Sequence, residues 1–272
     1  MKKQTWAVVL LTLVALVLGG LTVISAPTTK KQPEQAKTAA APSPVKPTSV
    51  KILIPGEAPF DALHEDYNTP SSLWVLVSKA HPLADPNYVP ANLSVPDVKT
   101  RSDKSVAEQS LRSDIEPSVK NLFSAASTAG HDIMLASGFR SYALQQTYFS
   151  NYSRLYGEES ANKFSAKPGQ SEHQTGLAFD ISLSSRVCYL EICFGDTEAG
   201  KWLAAHSYEY GFILRYPADK TAITQYQYEP WHFRYVGYDL ASALHKNNLT
   251  LDEAYPYLQT ALSELNKTNT AP

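Results

Sequence analysis

The chain has 272 residues and a formal net charge of −2, with 24 Lys and Arg against 26 Asp and Glu. This length is sufficient to bury the core of one medium-sized domain and to carry appendages as well. The balanced charge argues against the basic nucleic-acid-binding class, so we expect no nucleic-acid partner.

The amino-terminal residues predict export. Lys2 and Lys3 precede the uncharged run Ala7–Ala26, which is long enough to cross a bilayer as a helix. This run exceeds the usual apolar core of a cleaved signal peptide, so we predict a membrane anchor over residues 1–28. Cleavage after Ala26 is the alternative, and it would release a secreted protein.

The next segment predicts a linker. Residues 29–48 consist mainly of Pro, Ala, Thr, Lys and Gln, with almost no large apolar side chains. Such a composition cannot bury enough apolar surface to fold, so we predict a disordered tether. Residues 49–270 are then expected to form a domain outside the cytoplasm.

Within this domain, the apolar spacing predicts helices and strands in irregular alternation. Strands are predicted at residues 50–54, 133–136, 177–181, 212–216 and 228–236, and helices at 117–130, 142–156, 197–211 and from 250 onward. Seven prolines between residues 55 and 96 predict an extended segment there, and Pro256 is expected to kink the last helix. The absence of a regular βαβ rhythm predicts an α+β fold, in which a small antiparallel sheet is flanked by helices.

The two cysteines, Cys188 and Cys193, both follow the export segment. In an oxidising compartment this pair favours a small disulfide-closed loop. Zinc ligation is the competing interpretation, but two residues do not complete a zinc site and better ligands lie elsewhere.

Those better ligands lie in the stretch Ser171–Asp180, which is followed about fifty residues later by Glu229–His232. Together the two stretches contain His173, Asp180 and His232, a ligand set that suits a catalytic zinc and leaves one coordination position open. Each residue alone has an ordinary explanation: a turn or packed position for a histidine, and an arginine ion pair for the aspartate. The combination favours zinc.

Other residues suggest how a substrate would be processed. Glu229 lies three residues before His232, where it can accept a proton from water, so we predict it to be a general base. Arg140 follows a predicted strand and can grip a carboxylate with two parallel hydrogen bonds, although a surface salt bridge is its ordinary alternative. Gln145 and Ser171 are neutral hydrogen-bonding residues that can flank this guanidinium.

Three motifs, taken in order, resemble those of the VanY-type D-alanyl-D-alanine carboxypeptidases, zinc peptidases of the LAS group. They are Ser137–Tyr142 with Gln145, then Ser171–Asp180, then Glu229–Gly237. The similarity covers about residues 70–245. It implies a hedgehog/D-Ala-D-Ala-peptidase-like fold and gives these residues the roles deduced above: three zinc ligands, one base and a three-residue group that holds a terminal carboxylate.

The resemblance also implies an activity. We expect a monomeric zinc enzyme that removes the C-terminal D-alanine from peptidoglycan stem peptides. An L,D-carboxypeptidase that trims tetrapeptide stems has the same motifs and stays open as the alternative. A cell-wall endopeptidase fits Arg140 less well, because a guanidinium suits a chain terminus, and a non-catalytic zinc-bearing cell-wall-binding module would have no need for Glu229.

Overall fold

The computed structural model describes residues 49–270, with side chains as far as residue 268. The predicted signal or anchor helix (1–28) and the predicted linker (29–48) lie outside the described residues. Among the helices of residues 49–270, none is both long enough and apolar enough to cross a bilayer.

The described residues form an α+β fold, as predicted. The helices are α1 (Val106–Gln109), α2 (Glu116–Thr128), α3 (Tyr142–Tyr156), α4 (Glu158–Ala161), α5 (Glu198–His206), α6 (Thr221–Thr224), α7 (Tyr238–Lys246) and α8 (Leu251–Thr270). The strands are β1 (Lys51–Ile52), β2 (Phe60–Asp61), β3 (Leu93–Ser94), β4 (Leu111–Arg112), β5 (Ile133–Ser137), β6 (Ala178–Leu183), β7 (Phe212–Leu214) and β8 (His232–Tyr235). Short 3₁₀ turns, of which Glu172–Thr175 matters most below, connect several of these elements.

The central sheet has four strands in the order β5-β6-β8-β7, and each neighbouring pair is antiparallel. In the register of β6 and β8, Asp180 lies opposite His232 and Phe179 lies opposite Phe233. Because successive side chains of a strand point to opposite faces, the two phenylalanines share one face of the sheet while Asp180 and His232 share the other. The register alone therefore brings two of the predicted zinc ligands together.

The apolar face of the sheet is covered by helices. Phe179 and Phe233 are fully buried, and they pack in one cluster with Leu122 of α2 and Leu203 of α5. Complete burial of a side chain of this size stabilises the fold by about 1.5–3 kcal/mol. This packing fixes which way each strand faces, and so fixes the polar face as well.

The bounds of several predicted strands differ from the structure, and two of these strands are much shorter than predicted. Of the strand predicted at 228–236, only His232–Tyr235 (β8) is observed. The preceding residues Glu229–Trp231 form a turn, in which the His232 amide donates to the Glu229 carbonyl (3.1 Å). Pro230, which has no amide hydrogen to donate to a ladder, lies inside this turn. The strand predicted at 50–54 shortens to the two residues of β1.

The carboxyl-terminal helix α8 continues through Pro256. A proline there removes one backbone hydrogen bond but does not end the helix. Beyond β6, Cys188 and Cys193 are joined by a disulfide, so neither sulfur is available as a metal ligand.

Candidate metal centre and active site

Asp180 and His232 form the base of the candidate site. They are a cross-strand pair of β6 and β8, and the Asp180 Oδ1 atom lies 3.3 Å from His232 Nδ1. Each residue is only 4% exposed. A carboxylate buried this deeply is costly unless a positive group neutralises it.

His173 reaches the same point from the 3₁₀ turn Glu172–Thr175, which precedes β6. The turn ends at Gly176, whose φ of +68° lies in the left-handed region that favours glycine. The chain can therefore reverse sharply, and His173 Nε2 lies 3.4 Å from Asp180 Oδ1. On the other side of the ring, His173 Nδ1 is 2.7 Å from the carbonyl oxygen of Gly138.

The three side chains fit a zinc ion. Their ligand atoms all lie within 4.8 Å of one another. Tetrahedral zinc with bonds of about 2.0–2.1 Å holds its ligand atoms about 3.3–3.4 Å apart, which matches the 3.3 and 3.4 Å separations from Asp180 Oδ1 to the two imidazoles. Among the described residues, this oxygen has no hydrogen-bond partner. Because the Gly138 carbonyl fixes the proton on His173 Nδ1, the Nε2 lone pair is free to bind a metal.

The buried charges at the site make metal binding depend on pH. Burial lowers the pKa of His232, but the carboxylates of Asp180 and Glu172 outweigh this effect and raise it to about 9. Burial raises the pKa of Asp180, yet the nearby imidazoles hold it well below its usual value. A proton on His232 competes with the metal for this histidine, so metal binding strengthens as the pH rises toward 9.

A buried ion cluster behind His232 was not predicted from the sequence. Glu172 Oε2 lies 3.4 Å from His232 Nε2, while Glu172 Oε1 accepts hydrogen bonds from Arg215 and Arg234, each at 2.8 Å. All three residues of this cluster are at most 1% exposed. A carboxylate behind a ligating histidine fixes the tautomer and the orientation of its ring.

The same cluster is connected to distant parts of the chain. Arg234 Nη2 donates to the carbonyl oxygens of Leu73 (3.1 Å) and Val75 (2.9 Å), and Arg215 Nη1 donates to Asp252 (2.5 Å) at the start of α8. The extended segment before β3 and the last helix therefore hold the two arginines, and these hold Glu172 next to the ligand His232. Of the cluster, Arg234 could have been predicted from the sequence. It lies two residues after His232, so its side chain is on the same side of β8 as this ligand.

Glu229 faces the metal ligands from the turn before β8. Its carboxylate Oε2 lies 3.8 Å from His232 Nδ1, and the residue is 6% exposed. Burial, reinforced by the negative charge of Asp180, raises its pKa to about 8. A carboxyl group with a pKa near neutrality can both accept and return a proton.

Arg140 lies beside the ligand cluster, just after β5. Its Nη2 atom is 3.9 Å from Asp180 Oδ2 and donates to Ser137 Oγ (3.2 Å), while Nη1 donates to Gln145 Oε1 (2.9 Å). The guanidinium also lies over the ring of Tyr148, 5.1 Å from its centroid. These contacts hold a positive charge at one end of the metal site.

The structure brings Ser171 to the cavity but places Gln145 behind Arg140. Gln145 is 1% exposed, and its amide donates to the carbonyl oxygen of Ala166 (2.6 Å) as well as accepting from Arg140. Ser171 lines the cavity and makes no side-chain capping hydrogen bond to the 3₁₀ turn that follows it. Gln145 thus orients Arg140, whereas Ser171 is part of the cavity wall.

The three metal ligands line one open cavity of about 360 Å³, together with Glu229, Arg140 and Ser171. This volume falls within the usual range for sites that bind small molecules or chain ends. The cavity combines three metal ligands, the buried carboxyl group of Glu229 and the guanidinium of Arg140. These groups together can hydrolyse a peptide bond next to a carboxylate.

Comparison with known proteins identifies the family. Residues 108–238 match the family model for VanY, D-alanyl-D-alanine carboxypeptidase. The Bacillus subtilis protein YodJ is 42% identical over 191 residues, which cover 70% of each chain.

Solved structures agree with this match. The LdcB LD-carboxypeptidase is 42% identical, with a TM-score of 0.65, over 69% of this chain and 87% of its own. A variant of the vancomycin-resistance D,D-pentapeptidase VanY, solved in complex with Zn(II), is 31% identical, with a TM-score of 0.53, over 67% of this chain and 98% of its own. The chain therefore belongs to the VanY family of D-alanyl-D-alanine carboxypeptidases, which are zinc metallopeptidases.

Proposed function

We propose that this enzyme is a zinc-dependent D,D-carboxypeptidase that removes the C-terminal D-alanine from peptidoglycan stem peptides. The observation that carries this proposal is the position of Arg140 beside the metal ligands, 3.9 Å from Asp180 Oδ2. A guanidinium at that point can hold a terminal carboxylate while the last peptide bond of the same substrate lies at the metal. Cleavage would then release a single residue.

Each side chain of the site has a role in this reaction. His173, Asp180 and His232 would hold zinc, which when bound acidifies water and polarises a carbonyl group. Glu229, as a carboxylate, accepts a proton from the attacking water and returns it to the leaving amine.

The carboxylate-binding end of the site also has assigned roles. Arg140 binds the terminal carboxylate, and the Ser171 hydroxyl donates a further hydrogen bond to it. Gln145 holds the guanidinium of Arg140 in place through the bond to its Nη1 atom.

An L,D-carboxypeptidase that trims tetrapeptide stems is the second candidate. It is favoured by the similarity to LdcB, which is an LD-carboxypeptidase and the more similar of the two structures described above. Both reactions release a C-terminal D-alanine, so they require the same metal ligands, base and guanidinium. They differ in the chirality of the residue that precedes the scissile bond.

The test of this proposal is release of D-alanine from matched stem peptides. We expect faster release from a pentapeptide ending in D-Ala-D-Ala than from the tetrapeptide that lacks the last residue. The comparison needs kcat/KM for both peptides, with the metal-stripped enzyme as the blank. Faster release from the tetrapeptide would instead establish the L,D activity.

Arg140→Ala should lose recognition of the terminal carboxylate. A hydrogen bond to a charged group contributes about 1.5–3 kcal/mol, so kcat/KM for the free-acid pentapeptide should fall by about 10- to 150-fold. The wild type should prefer the free acid over the C-terminal amide by a similar factor, and the variant should show little preference.

Arg154→Ala is the matched control, because Arg154 is exposed near the end of α3. It should behave as the wild type does. If Arg140→Ala keeps the full preference for the free acid, Arg140 does not bind the carboxylate and an endopeptidase becomes the better assignment.

We also propose that the domain acts outside the cytoplasm as a monomer, held to the membrane by a helix within residues 1–28 or secreted if that segment is cleaved. Support comes from the long uncharged run Ala7–Ala26 and from the Cys188–Cys193 disulfide, since disulfides persist mainly in oxidising compartments. Peptidoglycan lies in the same compartment.

A further inference from the structure

The loop that follows β6 has an unusual backbone. Arg186, Cys188 and Leu190 have φ values of 61°, 53° and 50°, in the left-handed region that residues other than glycine rarely adopt. Residues 184–191 contain no helix or strand to hold this conformation. The Cys188–Cys193 disulfide closes the loop at this point.

Side-chain contacts fix the tip of the loop. The Tyr189 hydroxyl is hydrogen-bonded to Arg101 Nη1, and the Arg101 guanidinium lies over the same ring, 4.9 Å from its centroid. Arg101 is held in turn by two hydrogen bonds to Asp103, at 2.6 Å each, and Asp103 also accepts one from Arg186 (3.1 Å). The loop is thus anchored to Arg101 through Tyr189 and to Asp103 through Arg186.

The residues next to Tyr189 face inward. Cys188 and Leu190 pack against the apolar cluster that covers the sheet. Tyr189 and Leu190 both line the active-site cavity, together with Arg101. One wall of the cavity therefore comes from a segment without regular secondary structure, while the ligands Asp180 and His232 lie on strands of the sheet.

We propose that this loop, residues 184–193, is a specificity-determining wall of the active site, in which the Tyr189 ring contacts the stem peptide and the disulfide holds that ring in place. The inference rests on the proposed function, because it takes the stem peptide as the ligand. A tyrosine presents a flat apolar face with few rotamers to immobilise, which suits contact with a peptide. The disulfide restricts the loop to the few backbone conformations that keep the ring against Arg101.

The test compares Tyr189→Ala, Tyr189→Phe and the double variant Cys188→Ser/Cys193→Ser with the wild type. Tyr189→Ala should raise KM for the pentapeptide about tenfold, which is the effect of losing one packed aromatic contact. Its kcat and zinc content should stay close to those of the wild type, since Tyr189 is neither the general base nor one of the three clustered metal ligands. Tyr189→Phe keeps the ring and should stay within about threefold of the wild type.

A separate set of measurements tests whether the disulfide holds Tyr189 in place. The double cysteine variant, and wild type reduced with a phosphine, should both show a higher KM at unchanged zinc content, and the reductant should have no effect on the double variant. Val187→Ala is the matched control, because Val187 lies in the same loop but is 58% exposed. It should leave KM unchanged.

Binding measured without turnover separates this inference from the proposed function. In a Glu229→Gln background, the Kd for the pentapeptide should rise about tenfold with Tyr189→Ala. If the wild type releases no D-alanine but the Kd still depends on Tyr189, the proposed function is wrong and the peptide-binding role of the loop is supported. If KM and Kd are unchanged in Tyr189→Ala, the loop does not contact the stem peptide through this ring. If KM is unchanged in the double cysteine variant, the disulfide does not hold the ring in place.

Discussion

Glu229→Gln should keep its zinc and bind stem peptide, but turn over more slowly than the wild type by a factor on the order of 10² to 10⁴. The substitution conserves the size of the side chain and removes only its capacity to accept a proton. Glu229 is 3.8 Å from His232 Nδ1 and is not one of the three clustered ligands, so the metal should stay bound. The loss should therefore fall on kcat and leave KM nearly unchanged.

The measurement combines zinc content, Kd for the pentapeptide and kcat on one preparation. Glu198→Gln serves as the matched control, because its side chain is 83% exposed on α5, and it should match the wild type in all three. If Glu229→Gln loses zinc, Glu229 supports the metal and is not simply a base. If it retains full turnover, another group accepts the proton.

The parts of the fold that the sequence predicted are those set by local pattern. Helices α2 and α3 and strand β5 were found from apolar spacing and end signals, and the structure confirms them within a few residues. The pairing of β6 with β8 could not be found in this way, because β7 intervenes in the chain and the order depends on packing against helices. The strand predicted at 228–236 was too long because Pro230 interrupts it.

In the candidate site, too, the residues within motifs were predicted, whereas a contact that only the fold creates was not. His173 and Asp180 were found because one motif holds both, and His232 because a second motif places it beside Glu229; the structure brings the three ligands within 4.8 Å of one another. The cluster of Glu172 with Arg215 and Arg234 was missed, because charged residues are ordinarily exposed and the sequence does not show that these three are buried together. Arg215 and Arg234 follow Glu172 by 43 and 62 residues, and only the folded sheet joins them.

Gln145 illustrates a related limit of motif-based assignment. The sequence predicted that Gln145 flanks Arg140 in a group that holds a terminal carboxylate, and the structure shows its amide bonded to Arg140 and to the Ala166 carbonyl. A motif identifies a residue without giving the direction of its side chain.

Asp180→Ala should abolish metal binding and activity together. Asp180 Oδ1 is the atom that both imidazoles approach, at 3.4 Å for His173 and 3.3 Å for His232. Two histidines without this carboxylate cannot hold tetrahedral zinc tightly, so the metal content after dialysis should fall from about one ion per chain to nearly none. Since bound metal contributes several kcal/mol to such reactions, kcat/KM should fall on the order of 10³-fold or more.

Asp180→Asn guards against a folding defect, because it conserves shape and removes the negative charge that favours the metal. Ser182→Ala is the matched control: Ser182 is fully buried two residues further along β6, on the same face of the strand. Atomic absorption and circular dichroism on the three variants should show native folding throughout and metal loss only at position 180. If both Asp180 variants retained one zinc per chain, the metal would lie elsewhere, and the assignment of His173 and His232 as its ligands would fail with that of Asp180.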